Sequence, residues 1–569
     1  MTTSIAFTAA ELAARPFLKA YPAGVPADVN TSQYPSLVAL MEEAFKKNAS
    51  KIAYNFMGKE VSFGQTDSMS QAFGAYLQSL GLAKGDRVAL MMPNVPQYPI
   101  AVAAILRAGL VVVNVNPLYT PRELEHQLKD SGAKAIVIIE NFATTLEQCL
   151  AKTPVKHIVL CAMGDQLGLL KGALVNYVVR SVKKMVPAFN LPGAVRFNDA
   201  VARGTRATLT RPTILPTDVA VLQYTGGTTG VSKGAVLLHS NVIANVLQSE
   251  AWNAPAMASL PAGVQPVYVC ALPLYHIFAF TVNMMLGMRT GAKNLLIANP
   301  RDLPAVLKEL AKHQIHSFPA VNTLFNGLAN HADFGNVDWS HLKISLGGGM
   351  AVTSAVAKLW LEKTGCPIVE GYGLSETSPS ASCNPTNSKA FTGTIGVPIP
   401  GTYFKLLDDD GKEVAQGQPG EIAIKGPQVM AGYWQRPDET ANVMTADGYF
   451  KSGDVGILDD NGFYKIVDRK KDMILVSGFN VYPNEIEDVV GKLDGVMECA
   501  CVGVADEKSG EAVKLVIVKK TEALTEAQVR AYCKDNLTGY KQPKVVEFRT
   551  ELPKTPVGKI LRRELRDKK

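Results

Sequence analysis

The sequence predicts an α/β protein with a large amino-terminal domain and a small α+β domain at the carboxyl terminus. Short apolar runs such as residues 87–92, 110–113 and 135–139 alternate with helical patterns, which is typical of parallel sheets covered by helices on both faces. Between residues 393 and 467 the pattern changes to short strands with Asp-Gly and Asn-Gly turns. That pattern predicts a small β-barrel that closes the large domain.

The boundary between the two domains is expected at a dense charge cluster, residues 468–472. After it, roughly a hundred residues alternate helix and strand again, which is enough for a separate domain. We therefore predict a large domain at residues 1–466, a boundary segment at 467–472 and a C-terminal domain at 473–569.

The composition is that of a soluble globular protein and argues against several functional classes. The chain has 569 residues, and its net charge of +7 is too modest to indicate a nucleic-acid binder. Its eight cysteines are scattered without zinc spacing, so we expect reduced core thiols in a cytoplasmic protein. No signal peptide is expected at the start. Residues 100–113 are apolar but contain Arg107 and Gly109, which favours a buried helix followed by a strand over a membrane span.

A glycine-rich loop, residues 224–235, is the strongest functional feature of the sequence. It reads Tyr-Thr-Gly-Gly-Thr-Thr-Gly-Val-Ser-Lys-Gly-Ala and follows an apolar run, residues 219–222, that predicts a buried strand. Glycines permit close backbone approach, and exposed N–H groups, hydroxyls and an ammonium suit a polyphosphate. The alternative is a flexible turn, but the density of donors favours phosphate binding. It is not the common nucleotide P-loop, because Lys233 follows Ser232 and not a glycine.

This loop resembles the signature of the adenylate-forming superfamily, which comprises acyl-CoA synthetases, adenylation domains and luciferases. Within it, residues 114–126 and 468–488 are most similar to the bacterial long-chain fatty acyl-CoA synthetases. Further stretches match the superfamily in the same order and span most of the chain: Leu-Pro-Leu-Tyr-His at 272–276, Tyr-Gly-Leu-Ser-Glu-Thr at 372–377, Ser-Gly-Asp at 452–454, Asp-Arg-Lys-Lys-Asp at 468–472, and residues 553–559.

The resemblance implies a ligase with two half-reactions. A fatty acid carboxylate attacks the α-phosphate of ATP to give acyl-AMP and pyrophosphate, and the thiol of CoA then displaces AMP. Both reactants of the first step are anions, so the site needs cations, hydrogen-bond donors and Mg²⁺ where charge builds. The expected ligands are therefore ATP, Mg²⁺, CoA and a fatty acid, with no nucleic-acid partner.

Several alternatives remain open at this point. Within the superfamily they are a CoA ligase for medium-chain or aryl acids, and an acyl-AMP ligase that delivers to a carrier protein. Outside these classes they are a luciferase-type oxygenase and a non-catalytic binder. A binder would be expected to have lost Lys559, Glu376 or Asp454, and all of them are present.

The resemblance also implies the roles of individual residues. Glu376 and Thr225 are the candidate Mg²⁺ ligands, since Mg²⁺ takes few carboxylates and completes its shell with substrate oxygens. Tyr372 offers a face for adenine, and Asp454, with Arg469 across a hairpin, would contact the ribose. The predicted ATP site comprises Tyr224, Thr225, Gly226, Gly227, Thr228, Thr229, Gly230, Lys233, Gly348, Gly349, Tyr372, Gly373, Thr377, Asp454 and Arg469.

Two further residues are implied at the reacting carboxylate. His276 lies in an apolar run and would stand at the mouth of the acyl tunnel, although a lone histidine there is more often a core residue. Lys559 follows a turn and precedes an apparent helix, and it would neutralise charge during adenylation. For the tunnel wall the sequence offers only suitable apolar residues: Val282, Met284, Met285 and Phe325.

Lys559 lies near the end of the chain, so the C-terminal domain would have to swing towards the nucleotide. Asp468 would be the hinge that turns this domain for the second half-reaction. After that rotation, Ser477 and Gly478 would come to the path of CoA. These roles are implied by the resemblance.

Residues 167–185 predict a basic amphipathic helix. Apolar residues recur at helical spacing, and Lys171, Arg180, Lys183 and Lys184 share the remaining positions. Such a helix can lie on an anionic membrane surface, and the alternative is a surface helix docked on its own domain. The resemblance adds support for peripheral contact with the inner membrane surface, and a homodimer is implied by the resemblance alone.

Overall fold

The computed structural model describes residues 8–225, 232–470, 472–477, 479–506, 509–555 and 558–566. Its α-helices are α1 (Ala9–Ala14), α2 (Leu37–Lys47), α3 (Phe63–Ser79), α4 (Gln97–Arg107), α5 (Pro121–Ser131), α6 (Ala143–Leu150), α7 (Leu169–Tyr177), α8 (Phe197–Gly204), α9 (His239–Met257), α10 (Ile277–Ala279), α11 (Leu286–Thr290), α12 (Leu303–Leu310), α13 (Asn322–Ala329), α14 (Ser354–Thr364), α15 (Pro437–Val443), α16 (Pro483–Val490) and α17 (Glu526–Asn536).

The strands follow the same chain order. They are β1 (Ile52–Phe56), β2 (Lys59–Ser62), β3 (Arg87–Met91), β4 (Val111–Asn114), β5 (Ala135–Ile139), β6 (His157–Cys161), β7 (Val195–Arg196), β8 (Val219–Thr225), β9 (Lys233–Leu238), β10 (Val267–Cys270), β11 (Lys293–Leu296), β12 (Ser317–Ala320), β13 (Ile344–Gly347), β14 (Ile368–Gly373), β15 (Ser380–Cys383), β16 (Val397–Pro398), β17 (Tyr403–Leu407), β18 (Gly420–Lys425), β19 (Gly432–Tyr433), β20 (Phe450–Leu458), β21 (Tyr464–Arg469), β22 (Ile474–Val476), β23 (Phe479–Val481), β24 (Val496–Asp506), β25 (Gly510–Lys519) and β26 (Val545–Arg549).

Two large sheets with parallel centres form the body of the protein. One has the strand order β19-β9-β8-β4-β3-β5-β6-β7, and the other has the order β16-β15-β14-β13-β12-β10-β11-β1-β2. In the first sheet, Val112 of β4 lies opposite Val221 of β8 in parallel register. Strands β15, β16 and β2 add antiparallel edges to the second sheet. The predicted α/β class, with strands at residues 87–91 and 135–139, is confirmed.

The largest hydrophobic core joins the two sheets, and α4 lies inside it. Every residue of α4 is buried, from Gln97 to Arg107. The predicted buried helix followed by a strand is thus confirmed, because an apolar surface on all sides of a helix needs protein on all sides. The guanidinium of Arg107 is accommodated by Asp67, by the hydroxyl of Ser70 at 2.7 Å and by the ring of Phe45.

Two smaller sheets follow. Strands β17, β18, β20 and β21 form an antiparallel sheet in the region where the sequence changes to short strands and Asn-Gly turns. Beyond it, β22–β26 and the helices α16 and α17 enclose a hydrophobic core of their own, which includes Ile486, Leu515 and Val529. The C-terminal region therefore has the core of an independent domain.

One predicted element differs from the structure. The residues after Lys559 look helical in sequence, but between residues 560 and 566 the structure has a short 3-10 turn, Arg562–Glu564, in place of a helix. Leu565 packs under β24 and β25 in the same core as Leu552. The apolar residues of this segment therefore pack onto a sheet and do not form one face of a helix.

The packing of α8 against α3 depends on Gly204. A Cβ at this position would lie 1.8 Å from the carbonyl oxygen of Ala72 and 3.2 Å from the Cβ of Tyr76. Because the obstacle is backbone, the helices would have to move apart to admit a methyl group.

We expect Gly204→Ala to lower the free energy of unfolding by about 2 kcal/mol, since overpacking at a helix contact costs that order of energy. Thermal unfolding by calorimetry measures the change. Gly335→Ala is the control, because a Cβ at Gly335 has open space around it. Equal unfolding temperatures for the two variants would contradict this account of the α3–α8 contact.

Candidate active site

One large cavity, with a volume of 3130 Å³, lies where β8, β13 and β14 end and the C-terminal domain meets the large domain. Side chains at the carboxyl ends of parallel strands converge on such a crevice. The predicted site residues that line it are Tyr224, Thr225, Lys233, His276, Gly348, Gly349, Tyr372, Gly373, Glu376, Asp454 and Lys559. The structure thus brings together motifs that are far apart in the sequence.

Some predicted residues do not line this cavity or cannot be placed. Thr377 is fully buried, and its hydroxyl accepts from the N–H of Leu374 at 2.9 Å and donates to the carbonyl of Pro379, so it holds the turn around Glu376. Asp468 and Ser477 also lie outside the cavity lining. Residues 226–231 with Gly226, Gly227, Thr228, Thr229 and Gly230, together with Gly478 and the side chain of Arg469, lie outside the described residues.

The two ends of the glycine-rich loop are held by a strand pair. Thr225, the last residue of β8, lies opposite Lys233, the first residue of β9. The ammonium of Lys233 is 2.5 Å from Glu439 Oε2 and 5.4 Å from the centre of the Tyr433 ring. A cation and a hydroxyl therefore face each other at the base of the loop, as a polyphosphate site requires.

Tyr224 supports this strand pair from below. Its hydroxyl donates to Asp130 Oδ2 at 2.7 Å, and Arg436 meets the other oxygen of the same carboxylate at 2.5 Å. The indole N–H of Trp434 donates to the carbonyl of Asp130 at 3.1 Å. Tyr224 thus anchors the base of the loop through Asp130.

Glu376 lies on the 3-10 turn Ser375–Thr377 directly after β14. Its Oε1 accepts a hydrogen bond from the Tyr433 hydroxyl at 2.8 Å, and its side chain is mostly buried at the cavity wall. The ring of the same tyrosine lies under Lys233, so Tyr433 links the loop lysine to the carboxylate. Among the described residues no group of three or more His, Cys, Asp or Glu side chains could hold a metal ion. One carboxylate with a nearby hydroxyl suits Mg²⁺, which fills its shell with water and phosphate oxygens.

Asp454 and Tyr372 form the opposite wall. The Tyr372 hydroxyl donates to Asp454 Oδ2 at 2.7 Å, which orients both the ring and the carboxylate. Asp454 lies directly opposite Arg469 in the β20–β21 pair, as the sequence predicts for two residues across a hairpin. Gly348 is required here, because a Cβ would lie 2.8 Å from the ring of Phe278.

Lys559 reaches into this cavity from the C-terminal domain. Its Cε lies 3.5 Å from the position that a Cβ on Gly349 would occupy, and Gly349 has a φ of +81°. The positive φ favours glycine at this position, and the lysine side chain passes it at van der Waals distance.

His276 is kept neutral beside Lys559. Burial and the nearby ammonium lower the pKa of His276 to about 3. Its Nδ1 accepts from the N–H of Phe278 at 3.3 Å, so the neutral ring carries its proton on Nε2. The ring can then donate a hydrogen bond in the cavity without adding a second positive charge.

The cavity also has an apolar region that suits a hydrocarbon chain. Among the tunnel candidates, Val282 lines the cavity, whereas Met284, Met285 and Phe325 are buried in the core away from it. The apolar region is completed by Trp252, Phe278, Leu346 and Ile399.

Polar contacts between described residues help to hold the C-terminal domain against the large domain. The Ser354 hydroxyl donates to Asp488 Oδ1 at 3.0 Å, and the Thr323 hydroxyl donates to the carbonyl of Gly558 at 3.4 Å. The side-chain amide of Asn326 donates to the carbonyl of Met497 at 3.3 Å. Ser477 lies on the exposed side of this domain, and its N–H donates to the carbonyl of Ser509 at 2.8 Å.

Sequence reasoning missed two cavity residues, Glu370 and Tyr433, and also Glu439, which pairs with Lys233 at the cavity edge. Tyr433 follows a glycine and precedes a tryptophan, and this aromatic pair was the available signal. Glu439 lies among the charges of α15, where nothing marks it. Glu370 directly precedes the Gly-Tyr-Gly turn, but only the fold shows that its Oε1 accepts from the N–H of Val352 at 2.8 Å and shapes residues 347–352.

Comparison with known proteins identifies the family. The family model described as AMP-binding enzyme matches residues 41–434, and the model described as AMP-binding enzyme C-terminal domain matches residues 485–559. This chain belongs to the AMP-binding enzyme family. A long-chain-fatty-acid–CoA ligase of Escherichia coli O157:H7 is 55% identical over 97% of this chain and 98% of that protein. One of Haemophilus influenzae is 52% identical over 96% of this chain and 97% of that protein.

Solved structures of AMP-binding enzymes share the fold. The anthranilate CoA ligase AuaEII in complex with anthranoyl-AMP has a TM-score of 0.83 and 25% identity, covering 94% of this chain and 98% of that chain. The ATP-bound MatB from Rhodopseudomonas palustris has a TM-score of 0.78 and 28% identity, covering 93% of this chain and 98% of that chain.

Among the described helices, none combines the length and apolar composition that crossing a bilayer requires.

Glu370 should make the stability of this AMP-binding enzyme depend on pH. Burial raises its pKa from 4.5 to about 8, and the Asp488 carboxylate adds to the rise. Below pH 4.5 both folded and unfolded states hold the proton, and between 4.5 and about 8 only the folded state does. Stability is therefore present at low pH and lost as the pH rises through this window.

We expect the unfolding free energy of the Glu370→Gln variant, relative to the parent, to rise with pH by at most about 1.4 kcal/mol per unit. Glutamine keeps the acceptor for the Val352 N–H, so the turn is preserved. Denaturant titrations between about pH 5 and about pH 8 measure the difference. Parallel pH profiles of parent and variant would show that Glu370 does not stay protonated.

Proposed function

We propose that this enzyme activates long-chain fatty acids with ATP and transfers them to CoA, with release of AMP. The carrying observation is its identity of 52–55% with long-chain-fatty-acid–CoA ligases over nearly the whole chain. The cavity supports the same reaction. One continuous space is lined by an apolar region, by the Thr225 hydroxyl and Lys233 ammonium for the phosphates, and by the Asp454 carboxylate for the nucleoside. The proposal ranks the fatty-acid ligase above a medium-chain or aryl-acid CoA ligase and above an acyl-AMP ligase that serves a carrier protein.

In the first half-reaction a carboxylate oxygen bonds to the α-phosphorus of ATP, and the bond from that phosphorus to pyrophosphate breaks. Two anions must meet, so the Lys559 ammonium neutralises charge beside the reacting groups. Neutral His276 donates from Nε2 at the carboxylate end of the apolar region. Lys233 exchanges Glu439 for the phosphates at the base of the loop.

The nucleoside is held on the opposite wall. Asp454 accepts the ribose hydroxyls, with the Tyr372 hydroxyl keeping its carboxylate in place, and the Tyr372 ring with Gly348 and Gly349 encloses adenine. Glu376 and Thr225 would hold Mg²⁺, which when bound offsets the charge of the phosphates. Thr228, Thr229 and the loop glycines complete the phosphate contacts in this proposal.

In the second half-reaction the sulfur of CoA attacks the acyl carbon, and the bond from that carbon to AMP breaks. The path for CoA requires the C-terminal domain to turn about Asp468, which brings Ser477 and Gly478 towards the acyl group. Ser477 is exposed and lies outside the cavity lining, so this role requires such a rotation. The boundary at residues 467–472 remains part of this proposal.

The experiment measures CoA-dependent AMP release with fatty acids of increasing length from about four to about eighteen carbons, together with an aromatic acid. We expect activity to rise towards long chains, because the apolar region buries more hydrocarbon with each added methylene. Activity confined to the aromatic acid would sink the fatty-acid assignment and leave adenylation standing. Acyl-AMP that accumulates without thioester would favour the carrier-protein alternative.

A Lys559→Ala enzyme separates the half-reactions. We expect acyl-AMP formation from ATP to fall by about a hundredfold or more, because one positioned charge is lost from the transition state. Thioester formation from supplied acyl-AMP and CoA should stay within about twofold of the parent, since the ammonium neutralises phosphate charge only in the first step. Equal losses in both assays would contradict this division of roles.

We also propose that α7 and the following turn, Val178–Val182, dock on an anionic lipid surface. Their exposed apolar stripe consists of Leu169, Leu170, Leu174, Tyr177, Val182 and Met185. Leu169 is 93% exposed and Leu170 is 90% exposed, which is unusual for leucines on a helix of a soluble domain. Exposed Lys183 and Lys184 flank the stripe, and this pairing of apolar and basic side chains is complementary to acidic lipid.

The stripe faces outward because the helix is fixed on its other side. Gly172 of α7 is buried and lies against Gly164. A Cβ on Gly172 would be 2.4 Å from the carbonyl oxygen of Gly164. Arg180 meets both oxygens of the buried Glu140 at 2.7 and 2.9 Å. The helix is therefore seated firmly while its leucines stay in solvent.

Flotation of the full chain with vesicles of phosphatidylglycerol and phosphatidylcholine tests this surface. We expect the double variant Leu170→Ser/Leu174→Ser to bind about tenfold less, since two apolar side chains no longer enter the lipid. A matched control, Leu215→Ser/Val264→Ser, changes two exposed apolar residues elsewhere and should bind like the parent. If the Leu170→Ser/Leu174→Ser variant floats like the parent, the proposal is wrong. If the variant changes only the sedimentation of the protein without vesicles, the stripe belongs to a homodimer contact.

A further inference from the structure

A cluster of ion pairs behind Lys559 is not used by the chemistry described above. Its centre is Arg562, which begins the 3-10 turn Arg562–Glu564 shortly after the lysine. The Nε and Nη2 atoms of Arg562 meet the two carboxylate oxygens of Glu487 at 3.1 and 2.7 Å. Nη2 also donates to Asn484 Oδ1 at 2.5 Å. This two-pronged geometry is specific to a guanidinium.

The same guanidinium reaches the boundary segment. Its Nη1 is 3.5 Å from Asp468 Oδ1 and 3.8 Å from Asp472 Oδ2. Asp468 is fully buried, and its Oδ2 accepts from the N–H of Asn484 at the start of α16 at 3.0 Å. Arg562 therefore bridges the end of β21, helix α16 and the chain segment that carries Lys559.

The partners of Arg562 are themselves fixed. Glu487 Oε1 also accepts from the N–H of Cys501 in β24 at 2.7 Å. Asp472 is paired with Arg566 at 3.1 Å. Because both carboxylates are held by other groups, the guanidinium has a well-defined position and does not follow mobile side chains.

The position of Lys559 is tied to this cluster through the backbone. The N–H of Thr555 donates to the carbonyl of Lys559 at 2.7 Å, and the N–H of Lys559 donates to the Thr555 hydroxyl at 3.0 Å. The N–H of Leu561 donates to the carbonyl of Pro553 at 2.8 Å. A displacement of Arg562 therefore also displaces the backbone of Lys559. The lysine side chain is flexible, so the position of its ammonium depends on that backbone.

We propose that Arg562 is a positioning residue that holds Lys559 over Gly349 for the adenylation half-reaction. The inference rests on the proposed function, since it specifies how that half-reaction obtains its cation. Arg562 acts by joining the boundary segment, α16 and the Lys559 segment into one arrangement. Without it, the carboxylates of Asp468, Glu487 and Asp472 lose a shared cation, and their repulsion loosens the arrangement.

The experiment uses the full chain and measures each half-reaction separately. In Arg562→Lys, which keeps the charge and loses the fork, we expect acyl-AMP formation to fall about tenfold. In Arg562→Ala we expect a fall of about a hundredfold, because a misplacement of order 1 Å can cost that much. Thioester formation from supplied acyl-AMP and CoA should stay within about twofold of the parent for both variants. Lys534→Ala removes an exposed cation on α17 of the same domain, outside the cavity lining, and as the control should behave like the parent in both assays.

A double-mutant cycle with Lys559→Ala decides whether Arg562 works through the lysine. In that background, adding Arg562→Lys should change acyl-AMP formation by less than about twofold, because there is no ammonium left to position. The same tenfold loss in both backgrounds would overturn the proposal. Equal losses in both half-reactions, or an unfolding temperature lowered in step with activity, would also overturn it and make Arg562 a structural residue. A parent enzyme that forms no acyl-AMP would instead defeat the proposed function itself.

Discussion

The approach of the Lys559 ammonium to the large domain is the interaction on which the candidate site depends. Without the C-terminal domain, the ends of β8, β13 and β14 form an open crevice with a hydroxyl and a carboxylate at its wall. With it, a cation passes over Gly349 and lies close enough to lower the pKa of His276. Lys559 is thus available only while the two domains are in this arrangement, which links conformation to charge in the site.

Among the residues that the structure describes, few polar side-chain contacts join the two domains, and this has a mechanical consequence. The hydroxyls of Ser354 and Thr323 contribute single hydrogen bonds, and the hydrophobic cores of the two domains remain separate. Interfaces of this kind can open at small cost. By contrast, the interior of the boundary region is tightly paired around Arg562. A weak interface beside a well-defined boundary segment agrees with the proposed rotation of the C-terminal domain.

Two titratable side chains of the cavity, those of His276 and Glu370, are uncharged at neutral pH. His276 is neutral, and Glu370 stays protonated up to about pH 8. The Tyr433 hydroxyl donates to Glu376, while the Tyr433 ring lies under the Lys233 ammonium. A second full charge beside Lys559 would repel it or cancel it. Burial keeps His276 and Glu370 neutral at neutral pH, so neither of them adds a charge to the cavity wall.

Much of this protein is determined by local sequence. The apolar runs of β3 and β5, the buried α4 and the Asn461-Gly462 turn are formed by short-range patterns, because side-chain periodicity and turn chemistry act over a few residues. The loop that contains Lys233 is recognisable by its density of glycines and hydrogen-bond donors, whereas the motifs of Glu376, Asp454 and Lys559 are identified through their resemblance to the adenylate-forming superfamily. Tertiary structure alone decided how these runs meet. It set the hydrogen bond of Tyr433 to Glu376, the role of Thr377 in a turn, the protonation of Glu370 and the cluster around Arg562. Each of these depends on residues distant in the chain, and a pKa or an ion pair depends on burial and distance, which no local pattern encodes.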